Sequence, residues 1–323
     1  MKKIILLLIF AIQLSFIYAT TARYQCEDFN LNVKYNETIT PGDAVFVRLT
    51  VYTPKNHKKS KSDFEKKATL QLLQEKKVIE TAAFYVIPKT KKQNSVEMLC
   101  GIPVSLWLTE GNYSIKLIFA NTETDIKEFI LPSTLKMREF NKEVLELDSK
   151  NTAIKTDNSP ERALQIDKLN NILFTTIPSD VYTLKKFTPP TESQRYTAYC
   201  GDRRVYAYTN GKSSTSLHYG NDYGVPNGTE VNACADGKVV LAETRISTGW
   251  SVVIEHLPGL YSLYYHMSEL NVKEGDMVKQ GELIGKSGAT GLATGPHLHW
   301  EMRLNGSAVC PEFFLNNFTF ESE

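Results

Sequence analysis

Histidine is scarce in this chain, with six in 323 residues. Chemistry that needs several imidazoles must therefore draw on most of them. An excess of one charge sign is also missing. A net charge of +1, from 37 basic and 36 acidic side chains, leaves no general footprint for nucleic acid. After the first 19 residues no apolar run approaches the roughly 20 residues that cross a bilayer. H-E-x-x-H is absent, which excludes a helix that carries two zinc ligands and a glutamate base. Cysteine stops at five, an odd count, and none sits in a recognisable nucleophile motif, so a cysteine protease is not indicated.

The N-terminus sets the compartment. Met1-Lys2-Lys3, the apolar run Ile4 to Ile17 and then Tyr18-Ala19 read as a secretory signal over 1–19, with an uncleaved anchor left open. The expected location is outside the cytoplasm, in the periplasm or cell envelope. Export permits disulfides. Cys26 with Cys100 would staple the N-terminal region, and Cys200 with Cys310 could tie the two ends of the C-terminal domain. Cys234, in Val231-Asn232-Ala233-Cys234-Ala235, reads as a small buried strand residue.

The length fits two domains and a connection. Residues 24–132 read as a β-sandwich of the immunoglobulin-like kind, with short strands and turns between them. Val45, Val47, Leu49 and Val51 alternate against a mixed face after the turn Thr40-Pro41-Gly42-Asp43. Further strands fit 69–74, 82–87 and 113–120. Residues 133–180 read as linker and connecting helix, with the polar stretch 148–158 as the linker. Ser159-Pro160-Glu161 has the chemistry of a helix start. Leu164, Ile166, Leu169, Ile172 and Leu173 follow at helical spacing.

Three of the six histidines fall in two short motifs, His218-Tyr219-Gly220-Asn221-Asp222 and His297-Leu298-His299. Gly220, Gly224 and Pro226 argue against a helix around the first. In an extended strand, i and i+4 share a face, as do i and i+2. Each motif can thus present two polar groups to one side of a sheet, while Leu298 and Trp300 turn into apolar packing. Any three of the four groups could hold a zinc ion and leave a position open for water. His266 lies between the motifs. His256, after Val252-Val253-Ile254-Glu255, reads as a structural residue at a strand end. His57, among Lys55, Lys58, Lys59 and Lys61, reads as a solvated loop residue.

From about residue 187 to 323 the chain resembles the LytM/lysostaphin-type zinc metallopeptidases, which cleave cell-wall peptides. H-x-G-x-D appears as His218 to Asp222, and H-L-H as His297 to His299. Ala235-Asp236-Gly237-Lys238-Val239-Val240, the run Glu274 to Gly285 and Ser287-Gly288-Ala289-Thr290-Gly291 stand in family order. Cys200-Gly201-Asp202-Arg203-Arg204 resembles the family turn F-G-x-R-R, with Cys200 in place of the aromatic. The resemblance implies an antiparallel, barrel-sandwich-like β-sheet domain and one Zn²⁺ per chain. It makes His218, Asp222 and His299 the metal ligands and His266 and His297 the catalytic pair. His297 would move the proton of the attacking water and His266 would donate to the oxyanion. A tyrosine often assists in this family, and Tyr206 and Tyr208 both lie upstream.

The resemblance therefore implies a mainly β, exported zinc endopeptidase acting on peptidoglycan stem or cross-bridge peptides. Other cell-envelope proteins are candidate partners for the N-terminal domain. A non-hydrolytic regulator of another wall hydrolase is the alternative on the same fold. A lipoyl- or biotin-type carrier, suggested by the glycine turns of 275–285, lacks a carrier lysine and leaves the histidines unexplained.

Overall fold

The computed structural model describes residues 5–6, 20–52, 67–88, 95–316 and 320. The signal reading falls outside them apart from Ile5–Leu6, and His57 lies outside them too. No helix among the described residues is long and apolar enough to cross a membrane. The chain is mainly β and divides into two compact units, 1–137 and 138–323.

The first unit is built mainly of two antiparallel sheets, and Thr38–Ile39 pairs in parallel with Thr134–Leu135. In the larger, Thr20–Gln25, Asn30–Tyr35, Ala44–Tyr52, Ser95–Pro103 and Tyr85–Val86 lie side by side in that order, with Ile5–Leu6 at the edge. In the second the order is Ile126–Leu131, Tyr113–Ala120, Lys67–Gln74 and Lys77–Ala83. Val45, Val47, Leu49 and Val51 from one sheet and Leu70, Leu72, Ile115, Leu117 and Phe119 from the other share one core. The alternation read from the sequence is the cause, since period-2 apolar residues reach one side only. The strand expected over 82–87 is divided: Lys77–Ala83 joins one sheet and Tyr85–Val86 the other.

The second unit is organised on an antiparallel sheet whose central strands position the histidines. We label them β1 (Gly220–Tyr223), β2 (Gly237–Arg245), β3 (Gly249–Leu257), β4 (Leu260–Met267) and β5 (Leu298–Leu304). Their spatial order is β1-β5-β4-β3-β2. Asp222 stands opposite His299 across the β1–β5 ladder, and Tyr265 stands opposite His299 on the other side. Every residue of β4 is buried, as its near-continuous apolar sequence requires. Gly220 meets the backbone so closely that a Cβ there would lie 2.3 Å from the carbonyl oxygen of Trp300. The glycine of H-x-G-x-D is therefore a packing requirement of β1 against β5.

The connector differs from the sequence reading. Lys142–Glu146 is a strand that pairs in parallel with Arg203–Ala207, which pairs in turn with Ser213–Leu217. The stretch taken as a polar linker contains the helix α1 (Ser149–Thr156), whose N-cap Asp148 accepts from the Asn151 amide at 2.7 Å. Its buried residues are Asn151 and Thr152, so no apolar stripe announces it. The helix α2 (Pro160–Leu173) starts as expected, with Ser159 accepting from the Arg162 amide at 3.2 Å and Pro160 in the first turn. Its N-terminal part is held by polar contacts, Arg162 to Ser247 and Gln165 to Arg245 and Ile246, and only its C-terminal end packs through apolar side chains. Leu173, with Leu169 and Ile172, packs on Leu241, Val253, Tyr261, Leu263 and Tyr265. Leu164 and Ile166, expected in the stripe, face outward.

All five cysteines are free thiols, which corrects both disulfide expectations. Cys100 is buried in the first core with its thiol toward the Ala82 carbonyl at 3.5 Å. Cys200 and Cys310 are neighbours without being bonded, the Cys310 thiol lying 3.7 Å from the Cys200 carbonyl oxygen. Cys234 is buried beside β3, as read from the sequence, but it lies on the bend between Glu230–Asn232 and β2 and not in a strand.

Candidate metal centre and active site

Strand pairing brings the two histidine motifs together. Metal-ligating atoms of His218, Asp222 and His299 all lie within 4.8 Å of one another. Asp222 Oδ1 is 3.1 Å from His218 Nε2 and 2.7 Å from His299 Nδ1, and the two nitrogens are 2.9 Å apart. His218, Asp222, His266 and His299 are 4, 6, 8 and 7% exposed. Donors this close and this dry need either shared protons or a cation between them.

The outer contacts decide where the lone pairs point. His218 Nδ1 lies 2.9 Å from the Tyr199 carbonyl oxygen. A carbonyl only accepts, so that nitrogen carries the proton and a neutral His218 turns its Nε2 lone pair inward. His299 Nε2 lies 2.9 Å from Glu301 Oε1, and a carboxylate there likewise takes the N–H. A neutral His299 then turns its Nδ1 lone pair inward. Asp222 Oδ2 accepts from Arg204 at 3.0 Å, which leaves Oδ1 for the interior. Two imidazole nitrogens and one carboxylate oxygen thus converge on one point. This N₂O donor set suits a zinc ion that keeps an open position.

Electrostatics agrees with a site built for positive charge. Burial pulls the Asp222 carboxyl up, but its contacts with the His218 and His299 rings outweigh it and hold it well below the usual carboxylate range. Burial pushes His299 down, yet its bonds to Asp222 and Glu301 raise it to about 9 in the metal-free cluster. A proton on Nδ1 then stands where a cation would stand. His218 is lowered by burial in spite of Asp222. The Arg204 guanidinium, against the pull of burial, is raised by Asp222 and Glu143 and remains charged.

His266 and His297 line the same place without joining the donor triangle. Their rings are 4.7 Å apart, and His297 Nε2 is 3.7 Å from Asp222 Oδ1. Each gives its Nδ1–H to a backbone carbonyl: His266 to Thr290 at 2.7 Å, His297 to Gly295 at 2.8 Å. Each therefore presents Nε2 as a base when neutral. Burial, then the neighbouring His297 and His299, lower His266 to about 3, so it is an acceptor until a proton is delivered to it. His266 also has a φ of 60°, the left-handed region that a non-glycine residue seldom adopts.

The remaining sequence candidates separate cleanly. His256 is fully buried away from the cluster, bonded to the Asp236 carbonyl and to Ser262 Oγ at 2.7 Å, and burial lowers it to about 4. Tyr206 comes to Arg204 beside Asp222, whereas Tyr208 bonds to Ser214. Sequence reasoning missed the outer partners. Glu301 and Arg303 could have been found by extending the alternation of His297 and His299 along β5. Glu143, which bonds Arg204 from the added parallel strand, gave no local signal. The helix α1 also reaches this region: Asn151 Nδ2 donates to the Ala293 carbonyl at 3.3 Å, and Lys155 lies over the Tyr206 ring at 4.0 Å.

Residues 216–311 match the model of peptidase family M23. The chain is 46% identical over 95 residues to the DD-carboxypeptidase/endopeptidase Mpg of Neisseria meningitidis serogroup B, covering 29% of this chain and 22% of that protein. It is 39% identical over 107 residues to the peptidoglycan DD-endopeptidase ShyA of Vibrio cholerae, covering 33% and 24%. The match thus spans about a quarter or less of these curated relatives. A crystal structure of a putative peptidase M23 from Pseudomonas aeruginosa shares the fold. It has a TM-score of 0.52 at 21% identity, over 87% of this chain and 96% of that one.

Proposed function

We propose that this chain, whose residues 216–311 form a peptidase family M23 domain, is a zinc metalloendopeptidase that hydrolyses peptidoglycan stem or cross-bridge peptides. The observation that carries the reading is the convergence of three lone pairs, from His218 Nε2, Asp222 Oδ1 and His299 Nδ1, each forced inward by an outer partner. One Zn²⁺ bound there would activate a water and polarise the scissile carbonyl.

The chain's own residues supply the proton transfers. His297, with its Nδ1–H spent on Gly295, takes a proton at Nε2 from the attacking water and returns it to the leaving amine. His266 is the second base-like nitrogen facing the site. It donates to the developing oxyanion only once it holds a proton at Nε2, because its other nitrogen is committed to Thr290. His266 is buried and His297 half-buried, which limits bulk water around them and strengthens each contact.

The relatives named for DD-endopeptidase activity support the wall-peptide substrate. The regulator alternative is disfavoured because the full donor set and both histidines are present. Location outside the cytoplasm, in the periplasm or envelope, belongs to the same proposal, supported by the N-terminal apolar run and by where such a substrate lies. The first unit contributes none of the donor residues, which suits a positioning role or contact with other envelope proteins. Digestion of purified muropeptides by the zinc-loaded protein, with mass spectrometry of the products, tests the reading. Cleavage at one type of peptide bond is expected. No cleavage of any muropeptide or bridge peptide with zinc bound would hand the case to the regulator.

A further inference from the structure

The strand β5 places more than a ligand on its inner face. His299, Glu301 and Arg303 follow one another at i, i+2 and i+4, so their side chains emerge on the same side. Glu301 uses both oxygens: Oε1 lies 2.9 Å from His299 Nε2, and Oε2 accepts from Arg303 Nε at 2.7 Å. A second guanidinium nitrogen of Arg303 is also 2.7 Å from Oε2. Arg303 is anchored in turn, its guanidinium lying 4.6 Å from the centre of the Tyr219 ring. Tyr219 is the neighbour of His218, so the line that starts at one ligand ends beside another.

We propose that Glu301 is the positioning residue of the metal centre, fixing the orientation and tautomer of His299, with Arg303 as its lock. The assignment rests on the zinc reading above. Turning the His299 ring over would put a carbon against Glu301 and carbon against the cluster. Moving the ring proton to Nδ1 would leave Nε2 with no hydrogen for the carboxylate. Either error removes a donor from the cluster, and Glu301 opposes both. Tyr265, stacked on the ring at 5.6 Å and 3°, restrains the ring plane but cannot choose between the nitrogens. Gly220 completes the device. A Cβ there would stand 2.8 Å from Glu301 Cγ, so the glycine of the first motif makes room for the positioning residue of the second.

A buried ion pair can also be merely structural, and the test must tell the two roles apart. The full chain is compared with Glu301→Gln, which keeps the volume but whose amide can donate as readily as accept. Zinc affinity is measured by competition with a chromophoric chelator, and the tautomer of His299 by long-range nitrogen–proton correlation. The variant should bind zinc about 10–100-fold more weakly, and its cobalt form should show an altered d–d spectrum. A structural role would lower the melting temperature of the metal-free protein without moving the affinity. Should Glu301→Gln not fold, Arg303→Lys keeps the charge but loses the fork, and a several-fold loss of affinity is expected there. Affinity within about twofold of wild type, with His299 still protonated on Nε2, overturns the assignment. Wild-type protein that binds no zinc overturns both the assignment and the reading beneath it.

Discussion

Raising the pH should act in opposite ways on the metal-free fold and on its zinc affinity, through His299. In the metal-free cluster its pKa is raised to about 9, against an ordinary value near 6.5 in the unfolded chain. Burial works against the charge, but Asp222 and Glu301 on its two ring nitrogens outweigh burial. A raised folded-state pKa gives stability that is fully present below about pH 6.5 and is lost as pH rises through about 9. A shift of two and a half units corresponds to about 3 kcal/mol. For a unit of this size that is roughly 6–12 °C in melting temperature. Zinc binding has the reverse slope, since the ion must displace the Nδ1 proton. Two units separate pH 7 from the raised pKa, so apparent affinity should improve about 100-fold from pH 7 to pH 9 and beyond. Thermal melts of metal-free and zinc-loaded protein between pH 6 and 10 check this, with His299→Gln as the control that lacks the group. A metal-free melting temperature that stays level across that range refutes the reasoning. So does a His299→Gln protein that keeps the wild-type slope.

Three further outcomes are expected. His299→Ala should lose both zinc and hydrolysis, whereas His297→Ala and His266→Ala should keep near-stoichiometric zinc and lose about 10²–10⁴-fold in turnover; metal analysis beside a peptide assay separates them, and a reversal of the pattern between His297 and His299 exchanges their roles. Gly220→Ala forces a Cβ against the Trp300 carbonyl oxygen, so it should cost about 1–3 kcal/mol and weaken zinc binding together with the melt. A fragment of residues 138–323 should fold and bind zinc alone, while 180–323, which lacks the strand carrying Glu143 and the helix α1, should melt lower; equal melting temperatures would show that the added strand contributes nothing.

Strand periodicity over two to four residues put the polar groups of H-x-G-x-D and H-L-H on one side of a sheet, and the family resemblance chose His218, Asp222 and His299 among them, the three whose ligating atoms lie together. The same rule covers Glu301 and Arg303, yet a glutamate and an arginine on a strand carry no signal until a histidine is known to face them. Glu143 was beyond reach for a different reason. Its meeting with Arg204, a residue of the family turn, depends on a parallel pairing between segments about 60 residues apart, which no local pattern encodes. The helix α1 was hidden because it buries Asn151 and Thr152 instead of an apolar stripe. In α2, by contrast, the apolar stripe promised more than the fold uses, since only its last turn meets the core. The cysteines were misread by arithmetic, because residues that suit a disulfide by spacing also suit a core as small apolar side chains.

The backbone of His266 carries a lesson about selection. Its left-handed conformation costs about 1–2 kcal/mol for a residue with a Cβ and nothing for glycine. The Thr248 carbonyl, which accepts its amide at 2.8 Å, and the Thr290 carbonyl on its ring hold it there. Glycine would relieve that strain but would empty the space of a buried ring and lose its bond to Thr290. Selection for heat resistance therefore gains nothing by discarding one of the two histidines proposed to carry turnover.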